Sequence, residues 1–181
     1  MIGYAMCGSF CTLGKSIKTM KELREAGYEI EPIMSEIVYT SDTRFGACEY
    51  WREEVTKICR RPIIHTVVDA EPIGPKGYLD ILVIAPCTGN TLAKLANGIT
   101  DTSVTMAAKA QLRADKPVLI ALASNDALSA NLKNVAMMRQ KKNVFFSSSV
   151  MDDPVGKPHS LVAEFSDIKE HIPRILALYG K

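Results

Sequence analysis

The feature that most constrains this chain is a recurring order. A short apolar run comes first, then a tight turn of small polar residues, then apolar residues spaced three or four apart. The clearest instance is Ile81-Leu82-Val83-Ile84, followed by Ala85-Pro86-Cys87-Thr88-Gly89-Asn90-Thr91 and then by Leu92, Leu95 and Ala96. A β-branched run of this length reads as a strand buried on both faces, and the 3–4 spacing as a helix packed back onto it. Pro86 and Gly89 break the strand, and Thr88 or Asn90 caps the helix. Such a junction is where open α/β sheets hold anions, because free N–H groups and the helix dipole both favour negative charge there. The same junction also serves as a plain turn in proteins that bind nothing at it.

Other copies follow. Ile2–Met6 is a strand ended by Cys7-Gly8-Ser9-Phe10-Cys11-Thr12, with Leu13, Ile17, Met20 and Leu23 inward on a helix that stops before Gly27. Tyr28–Met34 alternates and ends at Ser35-Glu36, with Pro32 marking an edge or bulge. Phe45, Cys48, Trp51, Val55 and Ile58 give a helical stripe, Pro62-Ile63-Ile64 a short strand, and 67–79 a loop rich in Pro and Gly. Thr100–Ser103 caps a helix carrying Val104, Ala107, Ala108 and Leu112. The strand Val118–Leu122 ends at Ala123-Ser124-Asn125-Asp126, which opens a helix with Leu128, Leu132, Val135 and Met138. Asn143–Phe146 is the next strand, 147–160 a polar loop, and 166–179 a helix with Pro173 near its real start. Right-handed crossovers turn this order into one domain over residues 1–181. The expected fold is a three-layer α/β/α, Rossmann-like or flavodoxin-like, doubly wound parallel sheet of about six strands.

Bulk properties narrow the function. At 181 residues, 47% hydrophobic and 23% charged, the chain matches an ordinary globular domain. A formal net charge of +2 with scattered basic residues argues against a nucleic-acid surface. No apolar run approaches a membrane span and the first residues carry no signal-peptide pattern, so a cytoplasmic setting is expected. Five cysteines, Cys7, Cys11, Cys48, Cys59 and Cys87, are an odd number without a secretion signal, which reads as free thiols. No His/Cys set has metal-ligand spacing, and no metal is expected. There is no G-x-G-x-x-G fingerprint either. His65, before the Pro/Gly-rich loop, is a candidate for acid–base chemistry or a structural residue at a strand end.

With these turns in hand, the chain resembles a known family, the homo-oligomeric flavin-containing cysteine decarboxylase superfamily. That family carries Gly-Ser after its first strand, Ser or Thr after its second, Ala-Pro-x-Ser-Ala-Asn-Thr, and Ala-Pro-Ala-Met-Asn. The matching strings are Gly8-Ser9, Ser35, Ala85–Thr91, and Ala121-Leu122-Ala123-Ser124-Asn125. Within the superfamily, the likeness to the family of dipicolinate synthase B subunits covers nearly the whole chain. It includes Asp69–Lys76, the run from Ala85 to Lys109, Asn125–Leu128 and Asp152-Asp153-Pro154.

The resemblance implies FMN at Gly8, Ser9, Phe10, Ser35, Thr88, Gly89, Asn90, Thr91 and Ala123, and Asn125 with His65 as catalytic positions. It implies a homo-oligomer, trimeric or larger, and a partner, the dipicolinate synthase A subunit, with its own dinucleotide fold. The reaction it implies is oxidation of dihydrodipicolinate to pyridine-2,6-dicarboxylate during sporulation, in the mother cell. NADP would be the acceptor, on one or other of the two chains. Lys76, Lys94 and Lys109 are candidates for the substrate carboxylates, each also readable as a solvated surface lysine. Leu122 and Ser124 replace the decarboxylases' Pro and Met, His65 lies further from the strand than their histidine, and 147–151 departs from the pattern of the B subunits. Alternative readings are a flavin-dependent decarboxylase or prenyltransferase, and a non-catalytic FMN or phosphate-binding scaffold for the partner.

Overall fold

The computed structural model describes residues 1–180. Its sheet is built from β1 (Ile2–Met6), β2 (Ile30–Met34), β3 (Ile81–Cys87), β4 (Val118–Ser124), β5 (Val144–Phe146), β6 (Ser149–Asp153) and β7 (Lys157–Ala163). The helices are α1 (Phe10–Glu25), α2 (Glu36–Thr40), α3 (Cys48–Cys59), α4 (Val67–Ala70), α5 (Ile73–Lys76), α6 (Gly89–Ala96), α7 (Ser103–Arg113), α8 (Leu132–Arg139) and α9 (Ile168–Leu178). Strands run in the order β2-β1-β3-β4, with β5 beside the first half of β4. All of these pairs are parallel.

Period-two alternation explains why the central strands carry no polar face. In β3, Ile81, Val83 and Ala85 enter a core with α1, α3 and α9, while Leu82, Ile84 and Cys87 enter a second core with α6 and α7. Tyr4 of β1 and Ala5 beside it divide in the same way. Two cores on opposite faces of one sheet make the doubly wound sandwich expected from the sequence. Buried hydroxyls lock the layers. Ser16 of α1 donates to the Ala85 carbonyl, and Ser103 of α7 donates to the Met34 carbonyl at 2.6 Å.

The sheet has seven strands rather than six, and it is mixed. The stretch expected to be a polar loop over 147–160 is an antiparallel hairpin of β6 and β7, and β7 pairs with the last two residues of β4. All of β6 is exposed, so no apolar alternation marks it in the sequence. The hairpin instead rests on backbone pairing and on its turn. There the Asp153 carboxylate accepts the N–H of Val155 at 3.3 Å and of Gly156 at 2.8 Å, a local bond that Asp favours.

Five further expectations change. β3 runs through the cis Ala85–Pro86 peptide to Cys87 with a register shift against β4, so Pro86 interrupts the ladder without ending the strand. Ile64 forms a single bridge to Ile33 in place of a strand, and 67–79 contains the single-turn helices α4 and α5. The helix expected from Asp126 begins at Leu132, and Leu128 and Leu132 are exposed. α9 starts at Ile168, ahead of Pro173, because Ile168, Ile172 and Ile175 all bury one face.

Candidate functional site

The parallel strands β1, β3 and β4 end on the same side of the sheet. The chain leaves β1 and β3 in opposite directions, toward β2 and β4, which opens a crevice at this topological switch point. Two adjoining hollows fill it. One, of about 790 Å³, is lined by the turns after β1 (Gly8–Cys11), β3 (Thr88–Asn90) and β4 (Ala123–Asp126), and by Arg44, Phe45 and the β6–β7 hairpin. The other, of about 580 Å³, shares Gly8, Thr88 and Asn90 and adds Ser35, Ile37, Thr91 and Lys94. Both volumes lie in the range of small-molecule sites.

Local chemistry makes this edge a receiver of negative charge. α1 and α6 both open onto it, and neither has an acidic residue in its first turn. The Ser9 side chain makes no capping bond to this sixteen-residue helix, and of its first N–H groups that of Thr12 donates to the Ser9 carbonyl at 3.0 Å, so the helix end still favours an anion. Thr88 is the cap of α6, accepting the Thr91 N–H at 3.2 Å; Asn90 is not. The Thr91 hydroxyl in turn donates to the Cys7 sulfur at 3.3 Å. Ser35 Oγ is buried with no hydrogen-bond partner beside the smaller hollow, a donor that a molecule bound there would satisfy. A methyl group on Gly8 would stand 3.2 Å from Ile37, so the bare backbone leaves the space a close-lying ligand needs.

The third turn is held by a polar network. Ser124 Oγ donates to Asp126, Asn131 Nδ2 donates to both Asp126 oxygens at 2.9 Å, and Asn134 donates to Asn131 at 2.8 Å. These bonds, that of Ser124 first and then that of Asn131, hold the Asp126 carboxyl below its usual range. They also lie against α6. A methyl on Gly89 would sit 2.4 Å from Ser124 Oγ and 2.6 Å from Asn131 Nδ2, so only glycine fits there.

Gly8, Ser9, Phe10, Thr88, Gly89, Asn90, Ala123 and Asn125 therefore line the larger hollow, while Ser35 and Thr91 line the smaller. His65 is not among them. Its ring stacks on Tyr39 with centroids 3.7 Å apart and an interplanar angle of 9°, in a separate hollow with Arg52, Glu53 and Lys57. Within one chain it does not meet Asn125. Burial pushes the Cys87 thiol well up and Cys7 to about 11, so neither is a ready nucleophile despite the nearby helix N-terminus. Arg44, Phe45, Lys157 and His159 line the larger hollow without any sequence motif to mark them. Lys94 is paired with Asp101 at 2.8 Å, and Lys76 and Lys109 are exposed and outside both hollows.

Comparison with known proteins assigns the family. The model of the family described as Flavoprotein matches residues 1–175. The chain belongs to the flavoprotein family. This flavoprotein is 39% identical over 175 residues to the dipicolinate synthase B subunit of Bacillus subtilis (strain 168), covering 97% of this chain and 88% of that one. The crystal structure of the dipicolinate synthase B subunit from Bacillus halodurans superposes with a TM-score of 0.88 at 40% identity, over 97% of this chain and 90% of that one. DmrB of Burkholderia xenovorans in complex with FMN, described as a cubic protein cage for redox transfer, gives a TM-score of 0.74 at 17% identity, over 99% and 97%. That last likeness is one of fold. Among the described residues no helix is long and apolar enough to cross a membrane, and no cluster of three or more His, Cys, Asp or Glu could hold a metal.

Proposed function

We propose that this flavoprotein is the FMN-binding B subunit of a dipicolinate synthase, oxidising dihydrodipicolinate to pyridine-2,6-dicarboxylate with NADP as acceptor. The observation that carries the reading is the 39% identity to a dipicolinate synthase B subunit over 97% of the chain. The crevice adds physical support. Its smaller hollow, lined by the N-terminus of α6, the unpartnered Ser35 hydroxyl and Lys94, with Glu36 at its side, fits a phosphate monoester. Its larger hollow, roomy and partly apolar through Phe10, Phe45, Ala123 and Val162, fits a flat ring system. Gly8, Ser9, Ser35 and Thr88–Thr91 would hold the phosphate end, and Phe10 and Ala123 the ring.

A bound flavin supplies a two-electron acceptor, which is the chemistry this oxidation needs. The reaction removes a hydride and a proton from the substrate; NADP⁺ takes up the hydride in the end, and the proton passes to water. The chain's own residues position the reactants. The Asp126 network fixes the turn that presents Ala123 and Asn125, and the β6–β7 hairpin forms one wall of the crevice. Asn125, exposed on that turn, is the residue placed to hydrogen-bond substrate, whereas His65 stays in its ring stack. A partner chain with a dinucleotide fold, the synthase's A subunit, and assembly of several copies of this chain belong to the same reading. So does action in the cytoplasm of a sporulating cell.

Dihydrodipicolinate oxidation is to be assayed with this chain alone, with the partner chain alone, and with both, alongside an FMN titration followed by flavin fluorescence. The expected result is FMN binding by this chain and turnover only in the mixture. Full turnover by the partner chain alone, or no FMN uptake at all, would overturn the reading.

A further inference from the structure

The larger hollow has a charge balance that the sequence motifs do not reveal. Its carboxylates are both engaged, Asp126 by Ser124 and Asn131, and Asp152 by Lys157 at 2.7 Å. Of its cations, Lys157 is the partner of Asp152 and Arg44 is unpaired among the described residues. Arg44 belongs to the segment between α2 and α3, and its guanidinium lies 4.8 Å from the centroid of the exposed Phe45 ring. Lys157 keeps two of its three donor directions, and the His159 ring makes no hydrogen bond among the described residues. Arg44 and Lys157 come from elements far apart in sequence and line the same hollow, together with the N-terminus of α1 and its aromatic neighbour Phe45.

We propose that Arg44 and Lys157, with His159 beside Lys157, are specificity-determining residues that take the two carboxylates of a planar dicarboxylate, whose ring packs against Phe45. The proposal rests on the synthase reading for the identity of the ligand. It replaces Lys76, Lys94 and Lys109 as the carboxylate contacts. Two of those lysines stand outside the crevice, and the third lines only the smaller hollow, which Arg44 does not reach. An arginine held over an aromatic ring is suited to the task. Its planar fork matches a carboxylate with two parallel bonds, and the ring holds the fork without competing for its donors. One carboxylate alone would engage one cation, so a monoacid gains only part of the attraction.

The test is a titration of pyridine-2,6-dicarboxylate and of pyridine-2-carboxylate into the full chain, read by calorimetry. Wild type is compared with Arg44→Gln, Lys157→Gln, Lys157→Arg and, as exposed controls, Lys76→Gln and Lys109→Gln. FMN affinity is measured in parallel on every variant to show that the crevice is intact. The expected outcome is preference for the dicarboxylate and a loss of about tenfold in its affinity for each Gln variant, the size of one charge-assisted hydrogen bond. Lys157→Arg and the two controls should stay near wild type. Equal losses at Lys76 or Lys109, or unchanged dicarboxylate binding when Arg44 and Lys157 are both replaced, would overturn the clamp. Wild type that binds FMN and no dicarboxylate would overturn it as well, while leaving the flavin site standing. Dicarboxylate binding that depends on Arg44, together with no oxidation by the mixture of the two chains, would support the clamp and sink the synthase reading.

Discussion

Asp126 follows a strand and precedes apolar residues at helical spacing, the pattern of a helix cap. Its carboxylate instead accepts from the side chains of Ser124 and Asn131 and closes a turn over residues 126–131. Short polar side chains compete with the helix for backbone conformation in this way, and here the competition delays the helix to Leu132. Because the folded state holds the Asp126 carboxyl below its unfolded value of about 3.9, the charged form is the one that folding favours. The stabilisation it gives is present above that unfolded value and is lost as pH falls through the lower folded value. Asp126→Asn should therefore lower stability at neutral pH and flatten the decline in acid. Urea unfolding at pH 7 and over the range below 4 checks both limbs.

At the scale of elements, the β3–turn–α6 unit was the most legible part of the chain and still kept one secret. A cap at Thr88 or Asn90, the inward Leu92, Leu95 and Ala96 and the preceding strand all follow from local chemistry, and the structure chooses Thr88. The need for glycine at position 89 does not, since Ser124 and Asn131, which crowd it, belong to another turn. Two substitutions separate the effects. Thr88→Ala removes a cap and should cost about 1 kcal/mol. Gly89→Ala gains helix propensity of up to about 1 kcal/mol. It also drives a methyl into a buried hydrogen-bonded network, where overpacking costs about 1–3 kcal/mol, so the net change should be destabilising. Chemical denaturation of both variants measures this, and FMN affinity should fall more for Gly89→Ala. The β6–β7 hairpin marks the opposite extreme: β6 and the first half of β7 are exposed, so no periodicity announces them, and only the end of β7 packs on the cores and pairs with the end of β4.

For the whole molecule, the five cysteines report how the layers close. Cys7, Cys59 and Cys87 are buried, Cys48 is half-buried and Cys11 is exposed beside the crevice. A thiol reagent applied to the native protein should modify Cys11 first and Cys48 more slowly. The three buried thiols should react only after unfolding, and bound FMN should slow Cys11. Mass spectrometry of the labelled peptides checks the order, and rapid modification of Cys87 in the native state would contradict the packing described. The sequence by itself determined the alternation of strands and helices, the doubly wound fold and the turns that form the floor of the site. Those properties are written in the periodicity and capping of neighbouring residues. Only the tertiary structure decided that His65 stands away from Asn125, that an exposed hairpin walls the crevice, and that Arg44 and Lys157 face it in place of Lys76 and Lys109. These are contacts between segments far apart in the chain. Their geometry depends on the packing of the sheet and its two helical layers, which no local pattern encodes.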